Sequence, residues 1–422
     1  MAAEMRNLFD QYSQPENRLT HALACCLDEE PDLMRSFIQW ATGEEAPRAT
    51  RLRIVEQRLP GEPEPADENE ATRRSLPDAW IYTDDGWSLL VESKVAAAVD
   101  IDQLQRHLQI ASRQGFEQPR LVVLSLTPCA DNLPDEATSR TWSGLYQWAA
   151  QWKTRSAWAR RLADYMEVAE RRMLADLYLT EGTLTTFTGI TFDEENPYSY
   201  LAAKRQLQLM IRELRRSSAL QTQLGINLAG AGRAAITGRN GSHVWDVLTF
   251  AKANGTDFSR YPHLTLGIER DMARVQLTVP NGIDGPLRRQ FADHGFHGMK
   301  AALAGYVKRA SPILERDSGA KPYVLIVQRR YPSQRSEPFV DAWIEFDPRT
   351  ALGPEAGNVK LQAQWLEATV NAFSKPQSNL NISFGMAFSY GKSQSVNQAS
   401  FVEITEAAWL ATAPILEVLG VL

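Results

Sequence analysis

Only three cysteines, Cys25, Cys26 and Cys129, occur in 422 residues. That number excludes a disulfide scaffold, and their positions show no metal-ligand spacing, so plain thiols in a reducing compartment are expected. No apolar run approaches the roughly 20 residues that span a bilayer. The opening Met1-Ala-Ala-Glu-Met-Arg also lacks the apolar core of a signal peptide. A cytoplasmic chain with no membrane partner is therefore expected. The glycine-rich stretch Gly225–Gly241 lacks the Gly-Lys-Ser/Thr ending of a phosphate-binding loop, so no nucleoside triphosphate is expected. Strong positive charge is missing too: the net charge is −6. This argues against a protein that coats polyanions, although an acidic protein can carry one basic contact face.

The length exceeds what one core usually supports, which predicts two domains. The most informative stretch runs from Ser75 to Lys94. Trp80–Thr83 and Trp87–Lys94 read as two strands, joined by Asp84-Asp85-Gly86, with Gly86 suited to the left-handed end of a three-residue turn. In that register Thr83 pairs with Trp87 and Asp78 falls opposite Glu92. Opposed like charges about 5 Å apart repel, so something positive is needed between them. Lys94 projects from the same strand face as Glu92, and Ser93 from the other. Two carboxylates and an ammonium on one face could hold a divalent cation beside an attacking water. Mg2+ suits such hard oxygen ligands.

Upstream, Ser13-Gln-Pro15-Glu16 opens an amphipathic helix to about Leu27. Ser13 and Glu16 have capping-box spacing, and Pro15 fits a first turn. A second helix runs over Asp32–Trp40, and a strand is expected within Ala49–Leu59. The acidic, proline-punctuated stretch from Pro60 to Glu70 reads as a spacer. Beyond Lys94, Asp100 or Asp102 caps a helix over Ile101–Arg113 that stops at Gly115 and buries Leu104, Leu108 and Ala111. Gln103 and His107 share an adjacent face of it. Leu121–Thr127 reads as a strand buried on both faces, parallel to the Glu92 strand. A short strand and a helix start follow at Thr141–Tyr146.

Pro77-Asp78, a spacer and Glu92-Ser93-Lys94 together resemble the PD-(D/E)xK nuclease superfamily, over residues 10–180. The resemblance implies an α/β fold with a restriction-endonuclease-like αβββαβα core, a mixed sheet flanked by helices. It also implies hydrolysis of phosphodiester bonds in nucleic acid, with DNA ahead of RNA, in prokaryotic defence or DNA processing. Asp78 and Glu92 would hold Mg2+ or Mn2+, with the Ser93 carbonyl as a further ligand, and Lys94 would hold or deprotonate the nucleophile. Glu16 to His21 resembles the first helix of many such nucleases, whose glutamate reaches the metal. Gln103-Leu-Gln-Arg-His107 is similar to the Gln-x-x-x-Tyr motif of the RecB-like branch, which makes Gln103 an orienting residue. His107 replaces the tyrosine and is taken as a substrate contact. The alternative is a catalytically silent nucleic-acid-binding module, or a subunit that needs a protein partner; homo-oligomers are also left open.

Trp148, Trp152, Trp158 and Tyr165, interleaved with arginines, mark a helical region from Leu145 to Leu179. Nucleic-acid contact there competes with ordinary core packing. Residues 181–224 read as a basic helical linker. Residues 225–422 read as a second, α+β domain of unknown role with a mainly antiparallel sheet. Its strands are expected at His263–Ile268, Arg274–Val279, Tyr323–Arg330, Phe339–Phe346 and Asn381–Tyr390. Its helices are expected at Gly285–Leu314, Lys360–Phe373 and Glu403–Leu419. His294 and His297 would be half a metal site with no second pair. Arg329 and Arg330, with Arg335 at a hairpin tip, form a candidate phosphate grip.

Overall fold

The computed structural model describes residues 7–48, 51–63, 76–129, 132–176, 178–179, 182–227, 236–237, 241–283, 285–330, 332, 339–352, 362–374 and 380–422. The expected spacer beyond Pro63, most of the glycine-rich stretch and the hairpin tip with Arg335 lie outside them. The chain divides into two compact units, Met1–Thr186 and Phe187–Leu422. The first is an α/β unit with a mixed five-stranded sheet flanked by helices, and the second holds an antiparallel sheet.

In the first unit, helices α1 (Pro15–Glu29) and α2 (Pro31–Thr42) precede strands β1 (Arg53–Glu56), β2 (Ala79–Tyr82) and β3 (Ser88–Ser93). Helix α3 (Ile101–Arg113) crosses over to β4 (Arg120–Ser125), and β5 (Ala137–Thr141) leads into α4 (Trp142–Trp152) and α5 (Ala157–Ala175). The sheet order is β1-β2-β3-β4-β5, antiparallel through β3 and parallel beyond it. Gly86 takes φ +94° at the turn, and the Thr83 amide donates to the Trp87 carbonyl at 3.0 Å.

Alternation along the strands feeds two separate cores. Ala79, Ile81, Leu89, Val91, Val122 and Leu124 face α1, α2, α4 and α5. Trp80, Leu90, Leu121 and Val123 face α3 through Leu104 and Ala111. Ser156, whose hydroxyl accepts from the Ala159 amide, starts α5 and splits the expected long helical region in two. Trp142, Trp148 and Tyr165 are buried in the first of these cores, and Arg161 lies over the Trp158 ring. The aromatic stripe is thus a packing stripe.

The second unit starts earlier than the expected boundary. Helices α6 (Tyr200–Leu214) and α7 (Ser218–Leu224) are not a linker: Leu207, Met210, Leu214 and Leu220 are buried in this unit's core. Its six full strands are β7 (His243–Thr249), β8 (His263–Glu269), β9 (Met272–Val279), β10 (Ala320–Arg330), β11 (Phe339–Phe346) and β12 (Leu380–Ser389). The two-residue β6 (Ile236–Thr237) extends one edge, giving the order β11-β10-β12-β9-β8-β7-β6. Strand β7 was not expected from sequence. The expected helix over Gly285–Leu314 is two, α8 (Gly285–Asp293) and α9 (Gly295–Arg316), parted by Gly295 at φ +56°. Helix α10 (Gln364–Ser374) precedes β12, and the closing helix is also two, α11 (Phe401–Ala411) and α12 (Ala413–Val418). Pro414 lacks the amide that would continue α11. No helix among the described residues is long and apolar enough to cross a membrane.

Leu90, fully buried between α3 and the sheet, supports the strand that leads to Glu92. Leu90→Ala should cost about 2–5 kcal/mol, read as a lower denaturant midpoint.

Candidate active site

The site is built at the C-terminal end of β3. Ladder pairs Trp80↔Leu90 and Ala79↔Val91 carry the register up to Asp78 and Glu92. The Asp78 Oδ2 accepts from the Ser93 amide at 2.7 Å, which pins the entry to β2 against the end of β3. Glu92 points into the α3 layer and is almost wholly buried. Lys94 Nζ lies 2.7 Å from Glu92 Oε1, and His107 Nε2 lies 3.1 Å from Glu92 Oε2.

Helix α3 supplies the rest of this layer. Asp100 caps it by accepting from the Asp102 amide, which sets the helical phase. Gln103 and His107, one turn apart, then both face β3. Gln103 Oε1 is 3.5 Å from Lys94 Nζ. His107 was expected as a substrate contact, but its side chain has no exposure. It serves as a buried partner of Glu92, and its Nδ1 has no hydrogen-bond partner.

The opposite layer reaches the site around the strand end. Ser93 faces α1, where the Thr20 hydroxyl donates to its Oγ at 2.7 Å. One turn earlier on α1, the Glu16 carboxylate accepts from the Val95 amide. Glu16 was also readable as a capping residue, but the N-cap is Gln14, whose side chain makes no capping bond. Its carboxylate is directed to the site instead.

The electrostatics divide the carboxylates. Burial opposes ionisation of Glu92, yet the His107 hydrogen bond and Lys94 outweigh it and hold Glu92 below its ordinary value. Burial, and then the charge on Glu92, push Asp78 well above its ordinary 3.8, against the Ser93 amide and Lys94. Burial also raises Glu16. For Lys94, burial works against the charge, but Glu92, Asp78 and Glu16 overcome it and raise the ammonium above its ordinary value. The site thus favours ionisation of Glu92, clamped by two donors, and opposes it at Asp78.

Three carboxylates supply hard oxygen donors of the kind that bind Mg2+. They do not bring three ligand atoms within 4.8 Å of one another, and both Glu92 oxygens are taken by Lys94 and His107. The donor chemistry fits a hard cation, and each Glu92 oxygen, holding one of these bonds, keeps a second lone pair. A cleft of about 630 Å³ opens against Lys94, lined by Val95, Ala96, Val99, Ser125, Thr127 and Tyr178 among others. Sequence reasoning missed Thr20, on α1, and Tyr178, just past the end of α5; neither position has a motif of its own. Arg329 and Arg330 lie on β10 of the second unit, where Arg330 pairs with Asp341 at 3.4 Å. His294 and His297 flank the start of α9 and join no ligand cluster among the described residues.

No family model matches the chain, and no curated protein matches it significantly.

Between 3.8 and its raised value, folded Asp78 keeps a proton that the unfolded chain has released, so stability falls as pH rises through that window. Glu92 acts oppositely, contributing above 4.5 and losing its contribution as pH falls below that. Asp78→Asn keeps an acceptor for the Ser93 amide and removes the ionisable proton. At neutral pH with EDTA it should raise stability by about 0.5–2 kcal/mol, the usual span of stabilising substitutions. The fall of melting temperature with rising pH should flatten, which thermal melts across pH 4–8 would show.

Proposed function

We propose that the first unit is a Mg2+-dependent nuclease of the PD-(D/E)xK kind, hydrolysing phosphodiester bonds in nucleic acid, with DNA put ahead of RNA. The observation that carries this reading is the convergence of Asp78, Glu92, Lys94, Gln103 and Glu16 at one strand end, although they come from separate elements. The order α1, three antiparallel strands, α3, β4 and a later helix is consistent with a restriction-endonuclease-like core. A role in prokaryotic defence or DNA processing would suit such an activity.

A bound Mg2+ would offset charge on the scissile phosphate and acidify the attacking water. Asp78, Glu92 and Glu16 would hold it. Lys94 is raised, not lowered, while it pairs with Glu92. A role as base therefore requires the charge of Glu92 to be engaged elsewhere first. Until then Lys94 acts as a cation that orients water and stabilises negative charge as it develops. Gln103 limits where the ammonium can swing, and His107 keeps the Glu92 carboxylate in place as Lys94 leaves it.

The clamped Glu92 and the open carboxylate trio favour one second reading, a nuclease subunit that becomes active only when a protein partner or substrate draws the carboxylates together.

The test is incubation of the full chain with plasmid, linear and single-stranded DNA and with RNA, in Mg2+, Mn2+ or EDTA. Metal-dependent cleavage is expected, with Lys94→Ala slower by about 10²–10⁴-fold, the usual span for a lost proton-transfer group. Gln103→Ala should keep part of the activity. Cleavage that survives both EDTA and Lys94→Ala would sink the assignment, and metal-dependent binding without cleavage would favour the partner-dependent subunit.

A further inference from the structure

Outside the carboxylate centre, one other cluster of ligand-type side chains stands out. His21 and Cys25 are four residues apart on α1, so they share one helix face. Glu56, on β1, meets them there. Among the described residues, this is the group of three whose ligand atoms all lie within 4.8 Å of one another. His21 Nδ1 is 2.8 Å from Glu56 Oε2 and 3.2 Å from Oε1. Cys25 Sγ is 3.7 Å from His21 Nδ1 and 3.5 Å from Nε2. The Tyr12 hydroxyl donates to Glu56 Oε2 at 3.2 Å.

We propose that His21, Cys25 and Glu56 form a zinc site that fastens α1 to β1, separate from the carboxylate centre.

The donor set decides the metal class. A thiolate, an imidazole and a carboxylate together suit Zn2+, whereas Mg2+ avoids sulfur. Three protein ligands leave a fourth position for water, and the side chains of His21 and Glu56 keep 12% and 19% exposure, which gives an ion a way in. Spacing also fits. Zinc bonds of about 2.0–2.3 Å at tetrahedral angles place ligand atoms about 3.3–3.6 Å apart. The sulfur-to-Nδ1 and Nδ1-to-Oε1 separations bracket that range at 3.7 and 3.2 Å.

One adjustment is required. The sulfur is nearly equidistant from both ring nitrogens, so it sits over the ring face, and the imidazole must turn about its Cβ–Cγ bond to aim Nδ1 at a shared ion. Two protons also leave, one from His21 and one from the Cys25 thiol. Burial disfavours the charged ring, but Cys25 and Glu56 overcome it and raise His21 to about 10, so a proton sits between Nδ1 and Glu56. Zinc would exchange for that proton and for the thiol proton of Cys25, which must leave for the sulfur to bind as thiolate.

The site explains a feature of the first unit that the carboxylate centre does not. Helix α1 carries both Glu16, bound to the Val95 amide, and Thr20, bound to Ser93. His21 follows Thr20 directly. A zinc ion holding His21 and Cys25 to the sheet would fix the pitch of the helix that delivers those two contacts.

The test uses the full chain and Co2+ as a spectroscopic stand-in for Zn2+. Titration should give a thiolate-to-cobalt charge-transfer band in the near ultraviolet at one equivalent, bleached by Zn2+. Cys25→Ser should abolish the band, and Glu56→Gln should weaken Zn2+ affinity by at least the roughly 10- to 100-fold seen for supporting partners of metal sites. Lys94→Ala should leave both unchanged, which separates this site from the carboxylate centre. Circular dichroism establishes that each variant is folded. No band in the folded wild-type chain would overturn the proposal. A band that persists in Cys25→Ser would do the same, and so would a Zn2+ affinity unaltered in folded Glu56→Gln.

Discussion

The interaction on which the first unit depends is the clamp on Glu92. An ionised carboxylate this deep in a protein costs several kcal/mol unless its oxygens are satisfied. Here Lys94 takes one oxygen and His107 the other. That requirement reaches well beyond the three residues. His107 can arrive only if α3 has the right phase, which Asp100 sets at one end and the left-handed Gly115 bounds at the other. Lys94 can arrive only if the strand keeps its alternation past Ser93. Helix and hairpin therefore specify each other, and Leu90, Leu104 and Leu121 fill the space between them.

The same alternation lets one short segment serve two layers. Glu92 and Lys94 belong to the α3 side, while Ser93 is tied to α1 by Thr20. The backbone joins in as well: the Ser93 amide holds Asp78, the Val95 amide holds Glu16, and the Lys94 amide pairs with Leu124 on β4 at 2.7 Å. Four consecutive residues thus collect side chains from α1, α3 and the approach to β2. The arrangement is electrostatically unfavourable for Asp78, whose ionisation is opposed by burial and by the charge on Glu92. A fold that kept such a conflict with no use for it would run against the local consistency of most sequences.

Much of this was legible in the sequence because its cause is local. Gly86 fixes a turn, the turn fixes a register, and the register places Asp78 against Glu92. Helical spacing put Gln103 and His107 on one face, while the place of Gln103 beside Lys94 came from the resemblance to the Gln-x-x-x-Tyr helix. The depth of His107 was not legible, because helical spacing puts it beside Gln103 without saying how far it sits beneath the α3 layer. The linker expectation failed because α6 is basic along one face, while Leu207, Met210 and Leu214 on the other belong to a core built from strands far downstream. Helix breaks at Ser156 and Gly295 were hidden within continuous helical patterns. His21 and Cys25 were passed over because cysteines were compared with one another, and Glu56 joins them only through the packing of α1 on β1.

Helix α1 therefore presents two kinds of ligand at successive turns. Glu16 offers hard oxygen to the strand end, and His21 with Cys25 offers nitrogen and sulfur to Glu56. The two groups would not compete for one ion. A hard, strongly hydrated cation gains little from a thiol, and a thiophilic one is held more firmly by His21, Cys25 and Glu56 than by separated carboxylates. The geometry reinforces the chemistry, because the mixed trio brings its ligand atoms within 4.8 Å of one another and the three carboxylates at the strand end do not. Occupancy of the trio would steady the helix from which Glu16 reaches Val95. Loss of α1 packing would therefore be felt first at the carboxylate that depends on a single backbone amide, and only afterwards at Glu92, whose clamp comes from Lys94, just past β3, and His107 on α3.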